Sequence, residues 1–219
     1  MSALIIHRRN SFLYYSSDHD GGISIPIPPE AMSDMEILNE DAYIQTIAAL
    51  AAKMHAPSQA MLILADDMCY FAQTTPEKLE AARDDLLNNT PFSHVETTVV
   101  RSAKQIFIIA TNADVYESAV HAFADKGISI SMVLPWSALI VQKIVLSGEI
   151  DKVTVKRAAD ASQALKSSVF PLPLHEHRTD TPVAHAAQTS PKKIPVGWII
   201  FVSVAVVYAI GMIWFFMRP

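Results

Sequence analysis

Residues 3–27 read ALIIHRRNSFLYYSSDHDGGISIPI, and the organisation of this stretch decides the fold. Two short β-prone runs, Ala3–His7 and Phe12–Ser16, flank Arg8-Arg9-Asn10-Ser11, which is hairpin spacing. Gly21-Gly22 introduces a third run, Ile23–Ile27, with apolar residues at alternate positions. Pro26 has no N–H to give a ladder, so this run belongs at an edge or a strand end. Pro28-Pro29 closes the unit.

Downstream, the period changes to that of a helix. Asn39 is an N-cap candidate, Glu40 and Asp41 suit the positive end of a helix dipole, and Ile44, Ile47, Ala48, Ala51 and Met54 share one face before Pro57. Ala60–Ala65 is a continuous apolar run, as expected of a strand covered on both faces. A new unit starts near Met68. Met68–Gln73 reads as a strand, Thr75-Pro76-Glu77 as a helix start, and Leu79, Ala82, Leu86 and Leu87 as that helix's apolar face. Val95–Arg101 and Gln105–Thr111 are two further β runs. Asn112 then caps a helix with Val115, Ala119, Val120 and Phe123 inside and Gly127 as its left-handed terminus. Ile128–Val133 alternates as a last strand, Pro135 opens a last helix ending near Gly148, and Ile150–Ser167 has helical composition that either extends the domain or begins a stalk. The order βββ-α-β, β-α-ββ-α, β-α predicts a layered α/β (α+β) domain over residues 1–150.

The far end is of another kind. Residues 196–217 read VGWIIFVSVAVVYAIGMIWFFM without a charge. At ~1.5 Å per residue this run is ~33 Å long, enough for a hydrocarbon core of ~30 Å. A transmembrane helix is therefore expected over 195–217, started by Pro195, with Lys192, Lys193, Trp198 and Trp214 as its interface anchors and Arg218-Pro219 as the tail. The lysine pair before the span against Arg218 after it, and an N-terminus without signal-peptide pattern, predict a tail anchor with the domain on the cytoplasmic side. Ala205, Ala209 and Gly211 offer a small-residue face for another helix. Residues 151–194 are expected to be a helix followed by a Pro-rich tether (Pro171, Pro173, Pro182, Pro191).

Charge and composition exclude some functions. A net charge of −5, with only isolated Arg8-Arg9 and Lys192-Lys193 pairs, gives no footprint for nucleic acid. The single cysteine, Cys69, leaves no internal disulfide and reads as a buried reduced thiol. His175-Glu176-His177 sits in the Pro-rich tether without the fixed geometry zinc needs. Asp66-Asp67, read as neighbours on a strand, point to opposite faces, and Asp84-Asp85 read as a solvated helix face. His121 has no Ser/His/Asp companion, and no P-loop or GxGxxG occurs. No catalytic residue, cofactor or metal is therefore expected, and the chain is read as a non-enzyme.

Several segments together resemble the N-terminal half of the actin-like PilM family of type IV pilus assembly proteins, and the cytoplasmic part of the L-type inner-membrane component of type II secretion systems. They are Ser24–Pro29, Asn89-Thr-Pro-Phe92 after the second helix, Ile106–Ala110, Ala124-Asp-Lys-Gly-Ile128, and Val133-Leu-Pro-Trp-Ser-Ala-Leu139, over about residues 3–146. The resemblance implies an actin-like (ribonuclease H-like) lobe with a small inserted β-α-β-β-α lobe at about 68–127. Where that family's first turn is acidic and glycine-containing, this chain has His7-Arg8-Arg9-Asn10-Ser11, and the second actin-like lobe is absent. Nucleotide hydrolysis would need that lobe in trans and an acidic turn that is missing.

What the resemblance and the anchor imply is a scaffold of a pilus or type II-like secretion platform at the inner (cytoplasmic) membrane. Its expected partners are membrane and cytosolic assembly proteins, such as a bitopic pilus assembly protein or an assembly ATPase, with a homodimer left open. The family's groove between lobes takes a partner's peptide, which carries over to Asn89, Thr90, Pro91, Phe92 and Ser93. The alternative is a single-span accessory or regulatory subunit of a larger membrane enzyme or transport complex.

Overall fold

The computed structural model describes residues 3–54, 59–102, 105–145 and 150–173. In chain order these form β1 (Ala3–Arg8), β2 (Ser11–Ser16), β3 (Gly22–Pro26), β4 (Met32–Ser33), β5 (Glu36–Ile37), α1 (Glu40–Lys53) and β6 (Gln59–Leu64). Then follow β7 (Tyr70–Thr74), α2 (Leu79–Asn89), β8 (Val95–Arg101), β9 (Ile106–Asn112), α3 (Ala113–Asp125), β10 (Ser129–Pro135), α4 (Trp136–Val141), α5 (Lys152–Asp160) and α6 (Ser162–Leu165). Short 3₁₀ turns lie at Asp66–Met68, Pro76–Lys78 and Lys166–Ser168.

The first hairpin is tighter than the sequence suggests. Arg8 pairs with Ser11, so only Arg9 and Asn10 form the loop, and His7 lies inside β1, where the run Ala3–His7 placed it. The five-stranded sheet runs β10-β6-β1-β2-β3, with β6 and β10 parallel to β1 and the other neighbours antiparallel. Parallel neighbours require crossovers that lay helices on the sheet faces. Helix α1 leads into β6 and α3 into β10, and the two pack on each other. The order of elements is the mixed α/β series read from the sequence, with the β4–β5 hairpin added.

Alternation sorts the side chains. His7 and Phe12, paired across β1 and β2, face α1 and α3, with Phe12 6.0 Å from Phe123 and 5.9 Å from Tyr43 by ring centroids. Ile6, Leu13 and Tyr15 face the other way, toward Trp136 and Ile150. Gly127 ends α3 at φ +76°, where Ile128 N–H reaches back to the Phe123 carbonyl at 3.0 Å. This is the left-handed terminus that glycine adopts without strain.

The smaller sheet, β7-β9-β8, is spliced between β6 and α3. Along β9, Ile106 and Ile108 share a face with Ala72 and Thr74 of β7, the face under α2. Ile109, with Val100 of β8, joins the main core. Helix α3, which the sequence reading grouped with the inserted lobe, packs on α1 and β10, because it is the crossover between two parallel strands. The folded unit also continues past residue 150. Val155, Ala158, Leu165 and Phe170 are buried in the same core, Phe170 N–H donates to the Val133 carbonyl at 2.9 Å, and Tyr116 hydroxyl donates to the Pro171 carbonyl at 3.1 Å. The first residues of the expected tether are thus part of the domain.

The expected span over 195–217, its anchors Lys192, Lys193, Trp198 and Trp214, and the tether beyond Pro173 lie outside the described residues. Among the described residues no helix is long and apolar enough to cross a membrane.

Candidate functional site

Two surfaces carry chemistry: the end of α2 with strand β7, and a cleft at the carboxyl ends of β1 and β6. At the first, the sequence-selected segment is held from within. Asn89 Nδ2 donates to the Asp85 carbonyl at 2.8 Å, and Thr90, buried, donates its hydroxyl to the Leu86 carbonyl at 2.7 Å. The Thr90 bond satisfies an orphan carbonyl at the helix end. Pro91 and Ser93 are exposed, while Phe92 is half-buried and meets Tyr70 edge-on at 5.8 Å. Tyr70 and Phe71, on opposite faces of β7, keep 36% and 42% of their surface in solvent. Of the five residues selected from sequence, Thr90 and Asn89 therefore shape the turn, and Pro91, Phe92 and Ser93 present it. Their aromatic partners on β7 were not selected, because a strand read from sequence alone does not show that it lies at a sheet edge.

The cleft, about 690 Å³, is lined by Ile6, Arg8, Leu13, Tyr15, Ala65, Asp66, Asp67, Trp136 and Ile150. Asp66 and Asp67 are not on a strand, as the sequence suggested, but in the 3₁₀ turn directly after β6. That turn puts both carboxylates at one rim instead of on opposite faces. Burial, then the neighbouring Asp67 charge, raise the Asp66 carboxyl above its ordinary range. Among the described residues Arg8 forms no ion pair with either carboxylate; Arg9 instead approaches Asp34 at 3.8 Å. Beside them Cys69 is half-buried, and burial, followed by the charges of Asp66 and Asp67, pushes its thiol far up, which suppresses the reactive thiolate. No group of three or more His, Cys, Asp or Glu side chains placed for a metal occurs among the described residues.

Beneath the cleft, His7 is sealed in the core. Its Nδ1 faces the Arg8 carbonyl at 3.1 Å, an acceptor only, so Nδ1 carries the hydrogen. Nε2 lies 2.6 Å from the Tyr43 hydroxyl, whose one hydrogen also has the Val115 carbonyl within reach at 3.3 Å. Burial drives the imidazole pKa down to about 3, so the ring is neutral and structural. The residue that closes the first β run of the sequence is a tie between β1 and α1.

No family model and no curated protein matches this chain. Solved structures do. The fold is similar to a PilM-PilN type IV pilus biogenesis complex (13% identity, TM-score 0.42, covering 60% of this chain and 46% of that one). It is also similar to the cytoplasmic domain of EpsL, an inner membrane component of the type II secretion system of Vibrio cholerae (13%, TM-score 0.38, 61% and 56%). A third similar structure is a Bacteroides thetaiotaomicron protein with actin-like ATPase fold and unknown function (8%, TM-score 0.40, 65% and 54%). The first two come from the two families whose motifs the sequence resembles. The chain spans about half the length of these structures.

Proposed function

We propose that this chain is a membrane-anchored, non-catalytic scaffold in an assembly platform of the type IV pilus or type II secretion kind, held at the cytoplasmic face of the inner membrane. The observation that carries the reading is the uncharged run 196–217 joined to a two-lobed domain, with five family-like segments in family order. The arrangement favours binding over turnover. The rim that would meet phosphates in an actin-like ATPase presents Arg8, Arg9, Asn10 and Ser11, and the buried His7 nearby is engaged in structural hydrogen bonds. Partners dock on the inserted lobe, near Pro91, Phe92 and Ser93.

Cross-linking in intact membranes followed by mass spectrometry tests this. Platform components, captured through the inserted lobe, are the expected result. Full-length chain found free in the soluble fraction, or its domain digested by protease added outside sealed cells, overturns it.

A further inference from the structure

Every open sheet must deal with its edges, since an unpaired row of N–H and C=O groups invites another strand. Apart from the two-residue β4–β5 hairpin, the two sheets of the described residues have four edges, and three are blunted. On the large sheet, β10 is closed by the antiparallel bridge of Val133 to Phe170. The opposite edge, β3, begins at Gly22 and ends at Pro26, which has no donor. On the small sheet, β8 carries Glu96 and Arg101, abuts α4 and the Lys166–Ser168 turn, and has Arg83 donating across it to Thr97 at 3.0 Å. The fourth edge is β7. Its sequence, YFAQT, contains no charge, no proline and no glycine, and it exposes Tyr70 on one face and Phe71 on the other.

We propose that the β7 edge accepts an extended strand of a partner protein, apolar at alternate positions and flanked by Lys or Arg. This deepens the docking reading above and rests on it. Strand addition supplies main-chain hydrogen bonds, and side chains at alternate positions meet the pockets on either face. On one face those positions meet Tyr70 and Phe92, and on the other Phe71.

Charge selects the partner. Asp66 and Asp67 precede the strand, Glu77 follows it, and the helix packed on it carries Glu80, Asp84 and Asp85, against only Lys78 and Arg83, so residues 66–85 hold six carboxylates and two basic side chains. Helix α2, which carries half of these carboxylates, packs directly on β7. A second copy of this chain would bring the same negative surface to the edge, and like charges facing each other oppose association. A basic-flanked strand meets the opposite sign.

The test is amide hydrogen exchange on the full-length chain in lipid nanodiscs, with a short peptide of alternating Val and Thr capped by Lys pairs as probe. Slowed exchange within β7 but not within β3, β8 or β10 is expected. Binding about tenfold weaker for a Glu-capped peptide is expected as well. Phe71→Lys should abolish the protection while β9 stays as protected as in the wild type, showing an intact fold. Protection elsewhere, none at all, or equal binding of the Glu-capped peptide overturns the proposal. So does β7 protection that rises with protein concentration alone, which assigns the edge to a second copy. In membrane cross-linking, partners retained by Phe71→Lys sink strand addition and leave the scaffold standing. A wild-type chain that captures no partner sinks the scaffold instead, while the peptide experiment is decided by its own readout.

Discussion

The two sheets use the same materials to opposite ends. In the large sheet Leu4, Ile5, Leu62 and Ile63 are wholly buried, and α1 and α3 bring Tyr43, Leu50, Tyr116 and Phe123 into a continuous core. In the small lobe the covering helix α2 has no buried residue at all, and Leu79, Ala82, Leu86 and Leu87 are only half-buried. The difference teaches where rigidity is placed. The large sheet is a frame whose helices are capped and tied to it, while the sparse burial under α2 predicts a lower local stability for the inserted lobe, the range from which binding surfaces are usually drawn.

The strongest way to break that comparison is Phe123→Ala. Phe123 is fully buried against Phe12, so truncation should cost about 3–5 kcal/mol, read as a lowered denaturant midpoint for the whole domain. A loss as small as a surface substitution gives would refute the frame. Next is Asn112→Ala. Asn112 caps α3 by accepting from Asp114 N–H at 3.2 Å, and its amide donates to the Met35 carbonyl at 2.9 Å. Losing a cap and leaving a buried carbonyl unpaired should together cost about 2–3 kcal/mol, with faster exchange first at the start of α3. Met35 itself sits at φ +64° in the β4–β5 turn, a conformation uncommon for a non-glycine residue, and the Asn112 bond helps hold it there.

The third test uses pH. The folded pKa of His7 lies near 3, below its ordinary 6.5, so the unfolded chain binds the extra proton first. Its contribution is complete above about pH 6.5 and is lost as pH falls toward 3, with a slope approaching about 1.4 kcal/mol per pH unit. His7→Gln keeps an acceptor for the Tyr43 hydroxyl without the titration, so its stability should fall less steeply than the wild type between pH 6 and 4, approximate limits set by the ordinary histidine pKa. Parallel curves for the two proteins would show that His7 is not the sealed tie described above.

The element series was legible because its signals are local: alternation in Ile23–Ile27, the continuous run Ala60–Leu64, and the capping asparagines Asn39 and Asn112, each of which accepts the first-turn N–H expected. What failed depends on neighbours distant in sequence. His7 was legible as the end of a strand beside two arginines, but its burial has no meaning until Tyr43, 36 residues away, supplies its partner. The hairpin at Asp34-Met35 lacks the Asn-Gly signature its backbone calls for. Phe170, between Ser168 and Pro171, looks like tether until Val133 is seen to bond it. The candidate site divides likewise. Phe92 stood out through its motif, whereas Tyr70, Phe71 and the Asp66-Asp67 turn gain meaning only from a sheet edge and a cleft.

The smallest effect gives the finest test. Leu86 lies half-buried on the face of α2 that covers the small sheet, so Leu86→Ala removes less buried surface than any core truncation. It should cost about 1 kcal/mol, in line with burying only part of a leucine side chain. The informative quantity is where that loss appears. If the inserted lobe opens on its own, exchange should quicken in α2 and β7 while β1 and β6 keep their wild-type protection. Thr90 would report the same event, because its hydroxyl bond ends on the Leu86 carbonyl and holds the turn that presents Phe92. Uniform quickening across both sheets would mean that the lobes unfold as one unit, and a docking surface softer than its frame would then have no physical basis.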